Sequence, residues 1–166
     1  DQAPVFEYAR VGYGDNPDQL LAFSDNNNSS SYQEPDSISG AVDIIARVGD
    51  LIQAGDDTSE DDWVCNVQEI RYSIYPEDEP NSPLVENKLA VSFDMEIDFY
   101  AGGPQTPFLV ELLFHQSSRC KTAGNYSTRK FCHIITNSNG DEVYDQEDID
   151  ASWDTSELCD GDYVIE

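Results

Sequence analysis

Positive charge is what this chain has least of. Eight Lys and Arg stand against 34 Asp and Glu, a formal net charge of −26 over 166 residues. That deficit excludes nucleic acid and anionic membranes as partners, because both are repelled before contact can form. Long apolar runs are also missing. No stretch approaches the roughly 18 consecutive apolar residues of a spanning helix, so no membrane span is expected. The single methionine is Met95, and the chain begins Asp1-Gln2-Ala3-Pro4, as expected if a signal or leader peptide has been removed or the chain has been trimmed.

Catalytic signatures are equally sparse. The two histidines, His115 and His133, belong to no HExxH pair, and no GxSxG elbow supplies a serine nucleophile. Gly102-Gly103-Pro104 is a turn, with neither the lysine nor the glycine spacing of a phosphate cradle. Among 34 acids some pair always lies close, so a glycosidase-like carboxylate pair carries no information. No catalytic residue is assigned.

Four cysteines, Cys65, Cys120, Cys132 and Cys159, form no CxxC pair, which disfavours zinc and thioredoxin-like sites and favours two disulfides. Three connectivities are possible. The preferred pairs are Cys120–Cys132, closing a short polar loop, and Cys65–Cys159, pinning the C-terminal region to the middle of the chain. Each bridge would add roughly 2 to 4 kcal/mol. An oxidising compartment, hence secretion or display outside the cell, follows from that pairing.

What is present is β-pattern. From Lys88 to Phe99, apolar Leu89, Ala90, Val91, Phe93, Met95, Ile97 and Phe99 interleave with Ser92, Asp94, Glu96 and Asp98. Such alternation predicts a strand with one wet face, folding back through residues 101–107 onto a second strand at 108–115. Val64 to Tyr75 alternates likewise, with Ile70, Tyr72 and Ile74 inward. Val5 to Val11 is a further strand candidate near the start. Residues 131–136 and 142–144 read as strands joined by an Asn139-Gly140 turn. Gly40 to Ala54 fits both periods. Ala41, Ile44, Ile45, Val48, Leu51 and Ile52 share a helical face, and a helix capped by Ser39 or Ser37 is favoured there. The expected fold is one secreted domain over 1–166, mainly β: an antiparallel β-sandwich or related two-layer arrangement, with at most a short helix at about 40–54. Its N-terminal strand, 1–13, is a candidate for exchange between subunits. The acidic region 141–166, with eleven acids and no base, is held by Trp153 and Tyr163-Val164-Ile165.

Loops carry the candidate sites. Hard cations want clustered carboxylate and amide oxygens, which makes calcium the one cofactor with a physical case. Candidate ligands are Asp56, Asp57, Asp61 and Asp62 in one loop and Asn139, Asp141, Asp145 and Asp148 in another. The spacing fails the EF-hand pattern, since Ile135 and Gln146 fall at its first and last ligand positions. Arg119, Lys121, Arg129 and Lys130 are half of all the basic residues, a cationic patch suited to an acidic surface on an identical molecule. Tyr126 and Trp153 add flat rings for stacking on a sugar or protein. Asn27, Asn28 and Asn125 begin glycosylation acceptor triplets.

These features favour a non-catalytic extracellular surface or filament subunit whose partner is itself. A calcium-dependent carbohydrate- or receptor-binding module, with a surface glycan or protein as partner, is the second reading. A secreted hydrolase is the third.

Overall fold

The computed structural model describes residues 21–26, 28, 30–48, 50–52, 63–65, 68–97, 113–114, 131–145 and 147–166. Its strands are β1 (Leu21–Asp25), β2 (Tyr32–Gln33), β3 (Ala41–Val48), β4 (Asp50–Ile52), β5 (Trp63–Cys65) and β6 (Glu69–Pro76). They are followed by β7 (Val85–Ser92), β8 (Glu96–Ile97), β9 (Phe131–Ile134), β10 (Val143–Tyr144), β11 (Trp153–Asp154) and β12 (Tyr163–Ile165). Short 3₁₀ turns occupy Pro35–Ser37 and Glu147–Asp150. The fold is mainly β, and nearly all the pairing is antiparallel.

β3 is the strand around which the first sheet forms. β1 pairs along one side of it, bringing Phe23 opposite Ile44, and β2 extends the sheet beyond β1. Its other side is shared, with β11 on Ala41 and Val42 and β9 on Ile45 to Val48. The helix expected over 40–54 is therefore replaced by β3 and β4. The physical reason lies in burial. Val42, Ile44 and Ala46 are buried on one face, and Asp43 and Ile45 are buried on the other. A strand covered on both sides loses its polar alternation, and its apolar residues then also satisfy helical spacing. The β-branched side chains of Val42, Ile44 and Ile45 tip the balance to the strand. Gly40, at φ +77°, turns the chain into it.

The second sheet has the order β12-β6-β7. β6 follows the sequence pattern, with Ile70, Tyr72 and Ile74 buried and Glu69 and Arg71 exposed. β7 departs from it. Its register against β6 shifts between Ile70 and Arg71, where Ala90 is the extra residue, and again opposite Ser73, where Asn87 takes φ 45°. Each bulge moves the following residues to the other face. As a result Leu89, Ala90, Val91 and Ser92 are buried in succession, while Phe93 is 57% exposed. The continuous strand expected to Phe99 instead breaks at Phe93 and Asp94. There Phe93 N donates to Gln68 O (3.1 Å) and Asp94 N to Ser92 Oγ (3.1 Å).

Tyr144 closes the outer edge of β7. Its buried hydroxyl accepts from Ser92 N at 3.2 Å and donates to Ala90 O at 3.5 Å. β10 therefore lies parallel to β8, Tyr144 opposite Ile97, instead of forming the expected hairpin with β9. The return strand at 108–115 and the N-terminal strand lie outside the described residues, apart from Leu113, which is buried in the core, and Phe114, which bridges His133.

The C-terminal region joins the two sheets. β11 pairs with β3 and β12 with β6, and the Trp153 and Tyr163 rings meet edge to face with centroids 6.0 Å apart. Thr155 N and Oγ1 both donate to Gly40 O, at 2.9 and 3.0 Å. A single apolar core draws on both sheets, with Phe23 and Ile44 from the first, Ile74, Leu89 and Val91 from the second, and Tyr144 from β10. Removing the hydroxyl in Tyr144→Phe leaves the buried Ser92 amide without an acceptor. A loss of about 1 to 3 kcal/mol in urea unfolding is expected, against less than about 0.5 for Phe93→Ala. Equal midpoints for the two variants would refute the capping role.

Candidate functional site

Residues 137–150 gather four of the expected calcium ligands into one loop, and the loop is tied by its own side chains. Asn139 Oδ1 accepts from Asp141 N at 2.8 Å, and Asp141 Oδ1 accepts from Val143 N at 3.0 Å. Asn139 Nδ2 donates to Asp141 Oδ2 at 3.1 Å, and Gly140 N donates to Ser138 Oγ at 3.1 Å. Asn and Asp side chains bonded to amides two residues on are the usual means of holding a tight turn. Gly140, at φ +95°, supplies the left-handed step. A Cβ there would also stand 3.3 Å from Cγ of Lys88, whose stem lies across the glycine.

Asp148 sits beneath this turn, wholly buried. Its Oδ1 accepts from Asn139 N at 2.8 Å and its Oδ2 from Asp145 N at 2.9 Å. Burial pushes its carboxyl above the usual carboxylate range, against the pull of those two amides, and the nearby charges of Asp145 and Asp141 push the same way. Burial likewise lowers the Lys88 ammonium, while Asp148 raises it. In this arrangement Asp148 does locally what a cation does in a calcium loop: it fixes the backbone turn, here through amide donors. Among the described residues no three acidic, histidine or cysteine side chains are grouped to hold a metal ion. Asp56, Asp57, Asp61 and Asp62 lie outside the described residues.

The other expected sites fall in different places. Arg119, Lys121, Tyr126, Arg129 and Lys130 lie outside the described residues, as do Asn27 and Asn125. Trp153 is half-buried against the core and meets Tyr163 edge to face. Asn28 is exposed, and its Oδ1 accepts from Ser30 N at 3.2 Å within the acceptor triplet. Cys159 is an exposed thiol, so the structure does not form the expected Cys65–Cys159 bridge. Its loop is held another way, by Tyr163 Oη donating to Cys159 O at 2.7 Å. Cys132 is half-buried on β9, and Cys120 lies outside the described residues.

Sequence reasoning passed over three groups that matter to this region. Tyr144 and Lys88 are too far in sequence from their contacts for spacing to reveal them. His133 is wholly buried on β9, its ring 5.0 Å from Phe114, and desolvation lowers it to about 4, so it is neutral at pH 7. The nearest sequence signal was its place between the apolar residues of a strand. Compared with known proteins, the chain matches no family model, no curated protein and no solved structure.

Replacing Asp148 by Ala frees two amides and should cost about 1 to 3 kcal/mol in urea unfolding, whereas Asp160→Ala at an exposed position should change stability by less than about 0.5. The pH dependence of His133 has a definite sign. Its pKa of about 4 lies below the unfolded 6.5, so its stabilising share is complete above pH 6.5 and lost as pH falls toward 4. Asp148, shifted up, acts in the opposite sense at acid pH. Wild type should therefore lose about 2 to 3 kcal/mol relative to His133→Gln between pH 7 and pH 4.5. Parallel pH profiles for the two proteins would contradict this.

Proposed function

We propose that the protein is a non-catalytic structural subunit, working outside the cell by association with copies of itself. Charge segregation carries this reading. Half of the chain's cations stand between Arg119 and Lys130, whereas 131–166 holds no Lys or Arg. Exposed carboxylates line the described surface around Glu77, Asp78, Glu79, Asp160 and Asp162. Unlike patches on one molecule favour head-to-tail contact between copies, since each copy offers both halves of a complementary pair.

The inward polar groups support a structural role as well. Asp148 and Tyr144 take part in backbone hydrogen bonds that hold loops and edges. Location outside the cell draws on the acidity and the acceptor triplets. The thiol of Cys159 removes one of the two bridges that argued for an oxidising compartment. Sedimentation velocity over a hundredfold or so range of protein concentration, at low and at high salt, tests the function. Concentration-dependent assembly that weakens as salt rises is expected. A monomer under every condition would overturn the reading.

A further inference from the structure

The face of β3 turned away from the common core carries buried polar groups. Phe23 and Ile44 pair across β1 and β3 and enter that core, so their neighbours Ser24 and Asp43, also directly opposite each other, point to the other face. Side chains placed in this way have Cβ atoms about 4.5 to 5.5 Å apart. Asn26 prolongs the ladder by one more pair, its N donating to Ala41 O at 3.1 Å. Two residues on from Ser24, it returns to the same face. Water does not reach the pair at the centre, since Ser24 is 0% and Asp43 2% exposed.

Ser24 Oγ and Asn26 Oδ1 are both shielded from solvent, and neither makes a hydrogen bond. Orientation of the Asn26 amide is set by its nitrogen, which donates to Asp150 O at 3.3 Å and leaves the oxygen as the atom directed elsewhere. Buried alcohol and amide oxygens are normally bonded, and a bare one is costly. Three neighbouring side chains thus offer an alcohol, an amide and a carboxylate oxygen, the donor set that hard cations select. Charge decides among those ions. The trio carries one negative charge, which a monovalent ion balances, whereas a divalent ion would bury an excess of positive charge. We propose that Ser24, Asn26 and Asp43 form a buried site for one sodium-sized cation, which locks β1 onto β3. The site is separate from the acidic loops at 56–62 and 139–148, and it needs a single carboxylate where they offer several.

Urea unfolding of the full-length protein in sodium chloride and in choline chloride of equal ionic strength tests this. The two salts screen surface charge alike, so neither general screening nor contact between copies produces a difference, and choline is too bulky for a site enclosed by three side chains. The midpoint should be higher in sodium. Above the dissociation constant, each tenfold rise in sodium should raise the folding constant about tenfold. Ser24→Ala removes one oxygen and no charge. It should fold in choline at least as stably as wild type, because no hydrogen bond is lost, and should lose the sodium increment. Asp43→Asn, which keeps the shape and removes the charge, should lose it too. Equal wild-type stability in the two salts, as a buried water alone would give, would overturn the proposal, as would an increment undiminished in Ser24→Ala. Stabilisation by micromolar calcium at constant sodium, lost in Ser24→Ala, would overturn the assignment to a monovalent ion.

Discussion

Carboxylates outnumber cations so heavily that the fold cannot neutralise them with side-chain partners. Arg71 pairs with Glu69 at 2.6 Å on the surface, where such pairs contribute little. Acids that turn inward must instead find hydrogen-bond donors in the chain. Asp148 finds the amides of Asn139 and Asp145, and Asp25 finds Gln33 Nε2 at 2.7 Å and the Ser31 hydroxyl. A carboxylate held by amide or hydroxyl donors fixes the shape of a loop without needing a metal or a basic side chain. Glu77, Asp78, Glu79, Asp160 and Asp162 face water, and that leaves this surface open to a cationic partner.

This constraint acts on a scaffold that a few long-range contacts define. β3 receives three different strands along its two sides, and the C-terminal region reaches both sheets through β11 and β12. A region as acidic as 141–166 would by composition remain unfolded. It is ordered because Trp153, Tyr163 and Ile165 pack against the common core, and because backbone bonds to Gly40 and Ser73 anchor its two strands. The apolar minority of side chains thus positions the acidic majority, and the loop between β11 and β12 presents Glu157, Asp160 and Asp162 to solvent.

How much of this was legible in the sequence varied with the environment of each element. β6 was read correctly because one face is wet, so Ile70, Tyr72 and Ile74 alternate with Glu69, Arg71 and Ser73. β3 was misread as helix because both its faces are covered and the alternation that marks a strand is lost. β7 was read too long because bulges at Ala90 and Asn87 reset its faces, and a bulge leaves no reliable trace in residue type. The loop at 137–150 was found as a cluster of oxygen ligands, since Asn and Asp side chains announce themselves. That Asp148 directs both oxygens at amides depends on the folded turn, and no spacing rule contains it. The Tyr144 cap joins residues 52 positions apart from Ser92, beyond any local pattern.

The central claim is that burial and donors within the chain hold individual carboxylates in distinct environments. Carbon-detected NMR titration of the carboxyl groups tests it most directly. Asp148, dominated by burial, should titrate above the ordinary aspartate value, and Asp25 and Asp154, held by hydrogen bonds from Ser31 and Ser156, should titrate below it. A single common midpoint for all three, or the reverse order, would contradict the account.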